Sequence, residues 1–279
     1  MDNLERLQQL GAQALIATEV RVLAQDIDHR ATDRAIALDP AYGAAFNNRG
    51  NAYASLQDYE TAFQSFRKAT ALLSSTAAPY NGRGRAHIEK DRYYAAVRDL
   101  GRSIKLDPKL AAAYRNRATA NYALGNFAAA ADDATKALEL EPEQDKSKLL
   151  MLRARANAGL NRFREGVADF DRVLDIEPEK VDAFMERGAL LAKNRRHAAA
   201  IRDFDKVLEL EPKNPKAFAL RGETKLSDRK PDQGYIDANI ALIIKPDYPL
   251  ALRVRGDIFR AQKRTENAIA DYQRAASLD

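Results

Sequence analysis

The chain has 279 residues, 46% hydrophobic and 30% charged, with a formal net charge of +5 and no cysteine. Without cysteine there are no disulfides, thiolate metal sites or cysteine nucleophiles, and no apolar run approaches the roughly 20 residues that cross a bilayer as a helix. Ordinary glycine and proline content argues against disorder, and the modest positive charge leans toward acidic partners once its placement is known.

Residues 1–42 come first. Their opening is acidic and amphipathic rather than a secretory signal, so a cytoplasmic location is expected, with a periplasmic or secreted one left open for a processed chain. Residues 31–40 match the close of the units that follow, while the helix before them departs from the pattern. Residues 1–42 are therefore expected to be N-terminal capping helices on a degenerate repeat. From residue 43 a period emerges. Pro40, Pro108, Pro142, Pro178, Pro212 and Pro246 close similar phrases, spaced by 34 residues, by twice 34, or once by 36. Ser74 stands at the midpoint of the double spacing. Seven units result: 43–76, 77–110, 111–146, 147–180, 181–214, 215–248 and 249–279, expected to form one continuous solenoid domain.

Each unit can be numbered with its closing proline at position 32. Position 1 is then Gly43, Ala77, Ala111, Ser147, Val181, Pro215 and Pro249. Position 4 holds Phe46, Tyr80, Tyr114, Leu150, Phe184, Phe218 and Leu252. Positions 8 and 20 hold only glycine or alanine, and position 24 is usually large, as in Phe66, Leu100, Phe170, Phe204 and Tyr272. Turn formers fill positions 14 to 17. Every unit thus predicts a helix A, a tight turn, a helix B and a proline-marked exit. Nothing alternates with period two, so the fold class is all-α. At period 34, this pattern of aromatic, small and proline positions resembles the tetratricopeptide repeat (TPR) family over residues 43–279. The resemblance implies a right-handed α-solenoid of stacked antiparallel helix hairpins, the TPR superhelix, of about sixteen helices.

Position 7 is arginine in all seven units and position 23 is aspartate in six. In an antiparallel hairpin, positions equally far from the turn lie level, which puts position 7 beside position 23. A ladder of partly buried pairs is expected: Arg83 with Asp99, Arg117 with Asp133, Arg153 with Asp169, Arg187 with Asp203, Arg221 with Asp237 and Arg255 with Asp271. Planar, permanently charged arginine suits that role. Arg49 faces Ser65 instead and is expected to use it or a neighbour. The small residue at position 8 lets the helices approach and accommodates the bulky position 24.

Positions 2, 5, 9, 12, 13 and 16 fall on the side of helix A away from the hairpin seam. In the family this surface lines a concave groove that binds partner peptides. Its basic members include Arg85, Arg92, Arg115, Lys148, Arg155, Arg162, Lys193, Arg196, Arg253, Arg260 and Arg264, against Asp58, Glu89, Asp182, Glu223 and Asp257. Tyr122, Met151, Met185, Ile88 and Leu226 are expected to offer apolar contacts among the charges. The segregated positive charge would steer acidic ligands. Some family members clamp a C-terminal carboxylate with lysine, asparagine and arginine; Asn81, Arg85, Asn116 and Lys148 resemble parts of that clamp, but the final arginine position is Leu152.

His29, His87 and His197 lie in different units with no second histidine at ligand spacing, so no metal site is expected. The lone Gly82-Arg83-Gly84 lies in helix A without a preceding strand and is no phosphate loop. No region remains for a catalytic domain, and neither an enzyme nor a cofactor is expected. The expected function is a non-enzymatic protein–protein interaction scaffold that binds an acidic peptide or protein segment, with no membrane contact. Two alternatives stand beside it. One is RNA binding by the basic groove, for which base-stacking aromatics other than Tyr122 are few. The other is self-assembly through an apolar C-terminal end formed by Ile269, Tyr272, Ala275 and Leu278.

Overall fold

A computed structural model describes residues 31–143 and 145–278. The expected cap over residues 1–42 therefore lies mostly outside the described residues, of which 31–38 are helical. Beyond them the described chain is helices and turns, with no strand. Two compact units divide it, one up to residue 144 and one from residue 145.

The first unit contains α1 (Gly43–Ser55), α2 (Tyr59–Leu72), α3 (Ala77–Glu89), α4 (Tyr93–Leu106), α5 (Ala111–Ala123) and α6 (Phe127–Leu140). The second contains α7 (Lys146–Gly159), α8 (Phe163–Ile176), α9 (Val181–Lys193), α10 (His197–Leu210), α11 (Pro215–Ser227), α12 (Pro231–Ile244), α13 (Pro249–Ala261) and α14 (Thr265–Ala276). Odd-numbered helices are the A helices and even-numbered ones the B helices. Each A helix packs most extensively on its own B helix. Within each unit, neighbouring A helices also touch, α1 with α3, α3 with α5, and α11 with α13. The A helices therefore line the inner side of each stack.

The turns within hairpins share one device. The residue at position 15 takes a left-handed conformation: Gln57, Asp91, Gly125, Asn161, Arg195, Arg229 and Lys263. The next amide closes back onto the A helix, as in Arg92 N to His87 O at 2.9 Å and Arg196 N to Leu191 O at 2.9 Å. This pairing satisfies carbonyls that the helix end would otherwise strand. It also reverses the chain within three residues, so B lies antiparallel to A.

The core is a column of position-24 side chains. Phe66, Leu100 and Phe204 are 0% exposed, and burial of one such side chain stabilises the fold by about 1.5–3 kcal/mol. A Cβ placed at Gly50, Gly84, Gly188 or Gly256 would come within 3.0 Å of the position-24 side chain of its own hairpin. Where position 24 shrinks to Ala238, the helices close further. A Cβ at Gly222 or Gly234 would meet the other glycine's carbonyl oxygen at 2.9 or 2.7 Å.

Candidate peptide-binding face and its supporting ladder

The six expected arginine–aspartate pairs are all present, each bidentate. Arg153 Nε and Nη2 donate to Asp169 at 2.8 and 2.6 Å, and Arg187 does the same to Asp203 at 2.9 and 2.7 Å. Arg83–Asp99, Arg117–Asp133, Arg221–Asp237 and Arg255–Asp271 repeat that geometry. The aspartates are buried. Hydrogen bonding to Asp133 and Asp203 pushes the Arg117 and Arg187 guanidiniums above their ordinary value, so both stay charged at any working pH. Arg49 uses Ser65, donating from Nε to Oγ at 3.0 Å.

Two further features of the ladder escape sequence reasoning. Wherever position 4 is aromatic, the guanidinium leans on that ring one turn earlier, as in Arg187 over Phe184 at 5.5 Å and Arg221 over Phe218 at 5.4 Å, an i, i+3 relation on one helix face; Arg153 and Arg255 have Leu150 and Leu252 there instead. The remaining nitrogen, Nη1, reaches the preceding repeat, at position 25 from Arg187 to Asp171 at 2.5 Å, Arg221 to Asp205 at 2.6 Å, Arg255 to Asn239 at 2.9 Å and Arg49 to Asp33 at 3.4 Å, and at position 28 from Arg83 to Thr70 at 3.1 Å. The arginine thus ties its own hairpin to the one before it. Position 25 is Gly101 opposite Arg117, and a Cβ there would stand 3.8 Å from Arg117 Nη1. Gly101→Asp supplies the missing carboxylate. It is expected to melt above the wild type, and above Gly101→Asn by about 0.5–1 kcal/mol, the range of a partly exposed ion pair. Equal melting of the Asp and Asn variants would show that the third contact contributes nothing.

On the inner face, side chains of successive A helices meet. Asn116 Nδ2 donates to Asn81 Oδ1 at 3.0 Å and Arg85 Nη2 to Asn51 Oδ1 at 3.3 Å. Several expected groove cations are already engaged there. Arg155 forms a bidentate pair with Glu186 at 2.7 and 2.6 Å. Arg115 lies 3.6 Å from Glu141, Lys148 3.4 Å from Asp145 and Arg260 2.9 Å from Asp257. Among the described residues, no carboxylate lies within ion-pair distance of Arg85, Arg92, Arg162, Lys193, Arg196, Arg253 or Arg264. Arg92 and Arg264 instead stack on Phe63 and Phe259, and Lys193 donates to Asn161 at 3.3 Å.

The apolar members of the face differ from expectation. Met151 and Met185 are buried, and Met185 joins a core cluster with Phe204, Val207 and Ala217. Tyr122 packs against Phe127 with ring centroids 5.5 Å apart. Ile88 and Leu226 lie against core clusters. The face therefore offers mainly charge and amide groups. It is also not uniformly basic. Desolvation raises the Glu223 carboxyl although the residue as a whole is exposed, with Arg253 opposing the shift and Asp257 adding to it. A cleft of about 300 Å³ lies beside it, lined by Lys193, Leu220, Glu223 and Thr224 among others. At the C-terminal end Ile269 and Leu278 are exposed, but Ala275 is buried. Tyr272 packs on Gly256 and donates to Asp257 at 2.8 Å.

Tetratricopeptide repeat models match residues 44–72, 81–145, 151–215 and 234–279. The chain belongs to the tetratricopeptide repeat family and is an all-α solenoid. The family defines it as a protein-interaction scaffold of a kind that is generally non-enzymatic. A TPR protein from Parabacteroides merdae superposes with a TM-score of 0.65 at 18% identity, covering 85% of this chain and 93% of that one. YrrB, a TPR protein with an unusual peptide-binding site, gives 0.60 at 22% identity over 71% of this chain and 97% of its own. Pseudomonas aeruginosa pilF gives 0.60 at 16%, covering 80% and 98%. These likenesses establish the fold. No curated protein sequence matches the chain. No helix of the described residues is long and apolar enough to cross a membrane.

Proposed function

We propose that the chain is a non-enzymatic adaptor that binds an acidic segment of a partner protein along the inner, A-helix face. The observation that carries this reading is the set of cations with no carboxylate partner on that face of each unit, Arg85 in the first and Lys193 and Arg253 in the second. Each has its charge available to a ligand, and such charges set encounter rate and specificity more than bulk affinity. Paired Arg155, Arg115 and Lys148 drop out of the expected contact set. The peptide-binding site of YrrB, on the same fold, supports a peptide as ligand class. Glu223 and Asp257 interrupt the basic face, so the partner is expected to carry one basic residue within its acidic stretch.

The test is peptide selection by phage display on the full chain, followed by titration of the enriched sequences. Acidic peptides are expected, and Arg85→Glu/Arg253→Glu should weaken their binding at least tenfold, since each reversal replaces attraction with repulsion of order 1 kcal/mol. Enrichment of neutral or basic sequences, or equal binding by the charge-reversed chain, would overturn the proposal.

A further inference from the structure

Within the second unit, four hairpin turns lie side by side. Lys193 Nζ reaches Asn161 Oδ1 of the turn before it at 3.3 Å. Lys193 and Ser227, at the next pair of turns, line one cleft, and Gln262 Nε2 donates to Asp232 Oδ1 at 2.9 Å. The local chemistry of these turns is unusual. The left-handed position is held by Arg195, Arg229 and Lys263, at φ of 59°, 60° and 61°. Gly125 fills the same position in the first unit, the residue that adopts this conformation without a steric penalty. The next position, the N-cap of helix B, holds Arg162, Arg196, Lys230 and Arg264, and none makes a side-chain cap. A cation there opposes the helix dipole. In the first unit Asp58 caps its helix by accepting from Thr61 N at 3.2 Å, while Arg92 and Asn126 make no side-chain cap.

Both choices act against local stability, and both place a long cation on one edge. Arg162, Arg195, Arg196, Arg229 and Lys263 are exposed, and no carboxylate lies within ion-pair distance of them among the described residues. Lys230 is paired with Asp228 at 2.7 Å. The edge also lacks apolar anchors. The exposed large hydrophobic residues of this unit, Ile176, Ile236, Ile243, Ile269 and Leu278, all lie outside these turns. A row of flexible cations without such anchors matches a ligand that presents only regularly spaced negative charge. We propose that the hairpin-turn edge of the second unit binds the phosphate backbone of single-stranded nucleic acid, without sequence preference. This surface is distinct from the inner face proposed for acidic peptides.

The experiment is fluorescence anisotropy of the full chain with labelled oligouridylate and oligothymidylate of about 20 nucleotides, titrated across salt from about 50 mM, because backbone binding falls linearly in log–log form with about 0.7 units of slope per phosphate neutralised on a single strand. Both strands should bind equally. Arg195→Gly/Arg229→Gly/Lys263→Gly should weaken binding at least tenfold and flatten the salt slope by about 2, three contacts at that increment. Its melting temperature should equal or exceed the wild type's, because glycine suits the left-handed position. Arg162→Gln/Arg196→Gln, which leaves that position untouched, should lose affinity as well. Arg85→Glu/Arg253→Glu should bind nucleic acid as the wild type does, which separates this surface from the inner face. No binding by the wild type at the lowest salt, or unchanged affinity in the triple variant, would overturn the proposal. So would a labelled polyglutamate peptide that binds more tightly than either strand and is lost in the same triple variant, which would assign the edge to an acidic protein.

Discussion

Asp237→Ala is expected to destabilise the second unit by about 3–5 kcal/mol, the cost of stripping one partner from a buried ion pair. Asp237 is 2% exposed. It accepts both donors of Arg221, at 2.9 and 2.7 Å, and lies 2.8 Å from Lys225 Nζ. Its loss leaves two cations facing each other inside the hairpin. Asp205, 2.6 Å from Arg221 Nη1, holds only one corner of the guanidinium and is about half open to water, so it compensates weakly. For the same reason Asp205→Ala should cost under about 1 kcal/mol. The decisive companion is Arg221→Met/Lys225→Met/Asp237→Leu. Removing all the charges together avoids the unpaired burial, and the triple variant should melt closer to wild type than Asp237→Ala does. Thermal denaturation followed by circular dichroism measures all of them. An Asp237→Ala melt matching the wild type would mean that the ladder is decoration rather than support.

Part of this architecture is legible in the sequence, and the reason is geometric. The 34-residue period, the turn across positions 14 to 17 and the separation of 16 between Arg221 and Asp237 all belong to one hairpin. Helical periodicity and antiparallel level-matching suffice to place them. What is not legible depends on the offset between one hairpin and the next. The reach of Arg187 to Asp171 crosses that boundary, and so does the pairing of Arg155 with Glu186, 31 residues on. A helical wheel assigns Arg155 to an open face because it contains no neighbouring helix. The same omission misplaces Met185, which the wheel puts away from its hairpin seam but which is buried in a cluster with Phe204 and Val207 of its own hairpin and Ala217 of the next. Summing charge over wheel positions therefore overstates the groove. The cations that remain are identified by the absence of a carboxylate nearby, which only coordinates reveal. Arg195, Arg229 and Lys263 were visible as turn residues, but their significance rests on a backbone conformation that sequence alone does not display.

The second large effect concerns the column of position-24 side chains. Phe66→Ala should cost about 3–5 kcal/mol, the range for deleting a buried phenyl ring. Phe66 is 0% exposed and wedged between two glycines: a Cβ at Gly50 or Gly82 would meet its ring at 2.8 or 2.6 Å. Backbone on both sides cannot readily collapse into the space, so the cavity term is retained. The chain itself contains the remedy. In the second unit the corresponding pair is Ala238 and Val254, packed in one cluster with Ile258. There the small residue is on helix B and the larger one on the following A helix, the reverse of Phe66 and Gly82. Phe66→Ala/Gly82→Val transplants that arrangement. It also replaces a mid-helix glycine, which gains a few tenths of a kcal/mol in helix propensity. The double variant should recover at least about 1 kcal/mol of the loss, whereas Gly82→Val alone should destabilise by about 1–3 kcal/mol through overpacking against the intact ring. Opposite signs for one substitution in two backgrounds would establish that volume is shared across the hairpin boundary. If Gly82→Val destabilises both backgrounds equally, the glycine answers to the A-helix face and Asn51, whose Oδ1 lies 3.1 Å from the same Cβ position, rather than to Phe66.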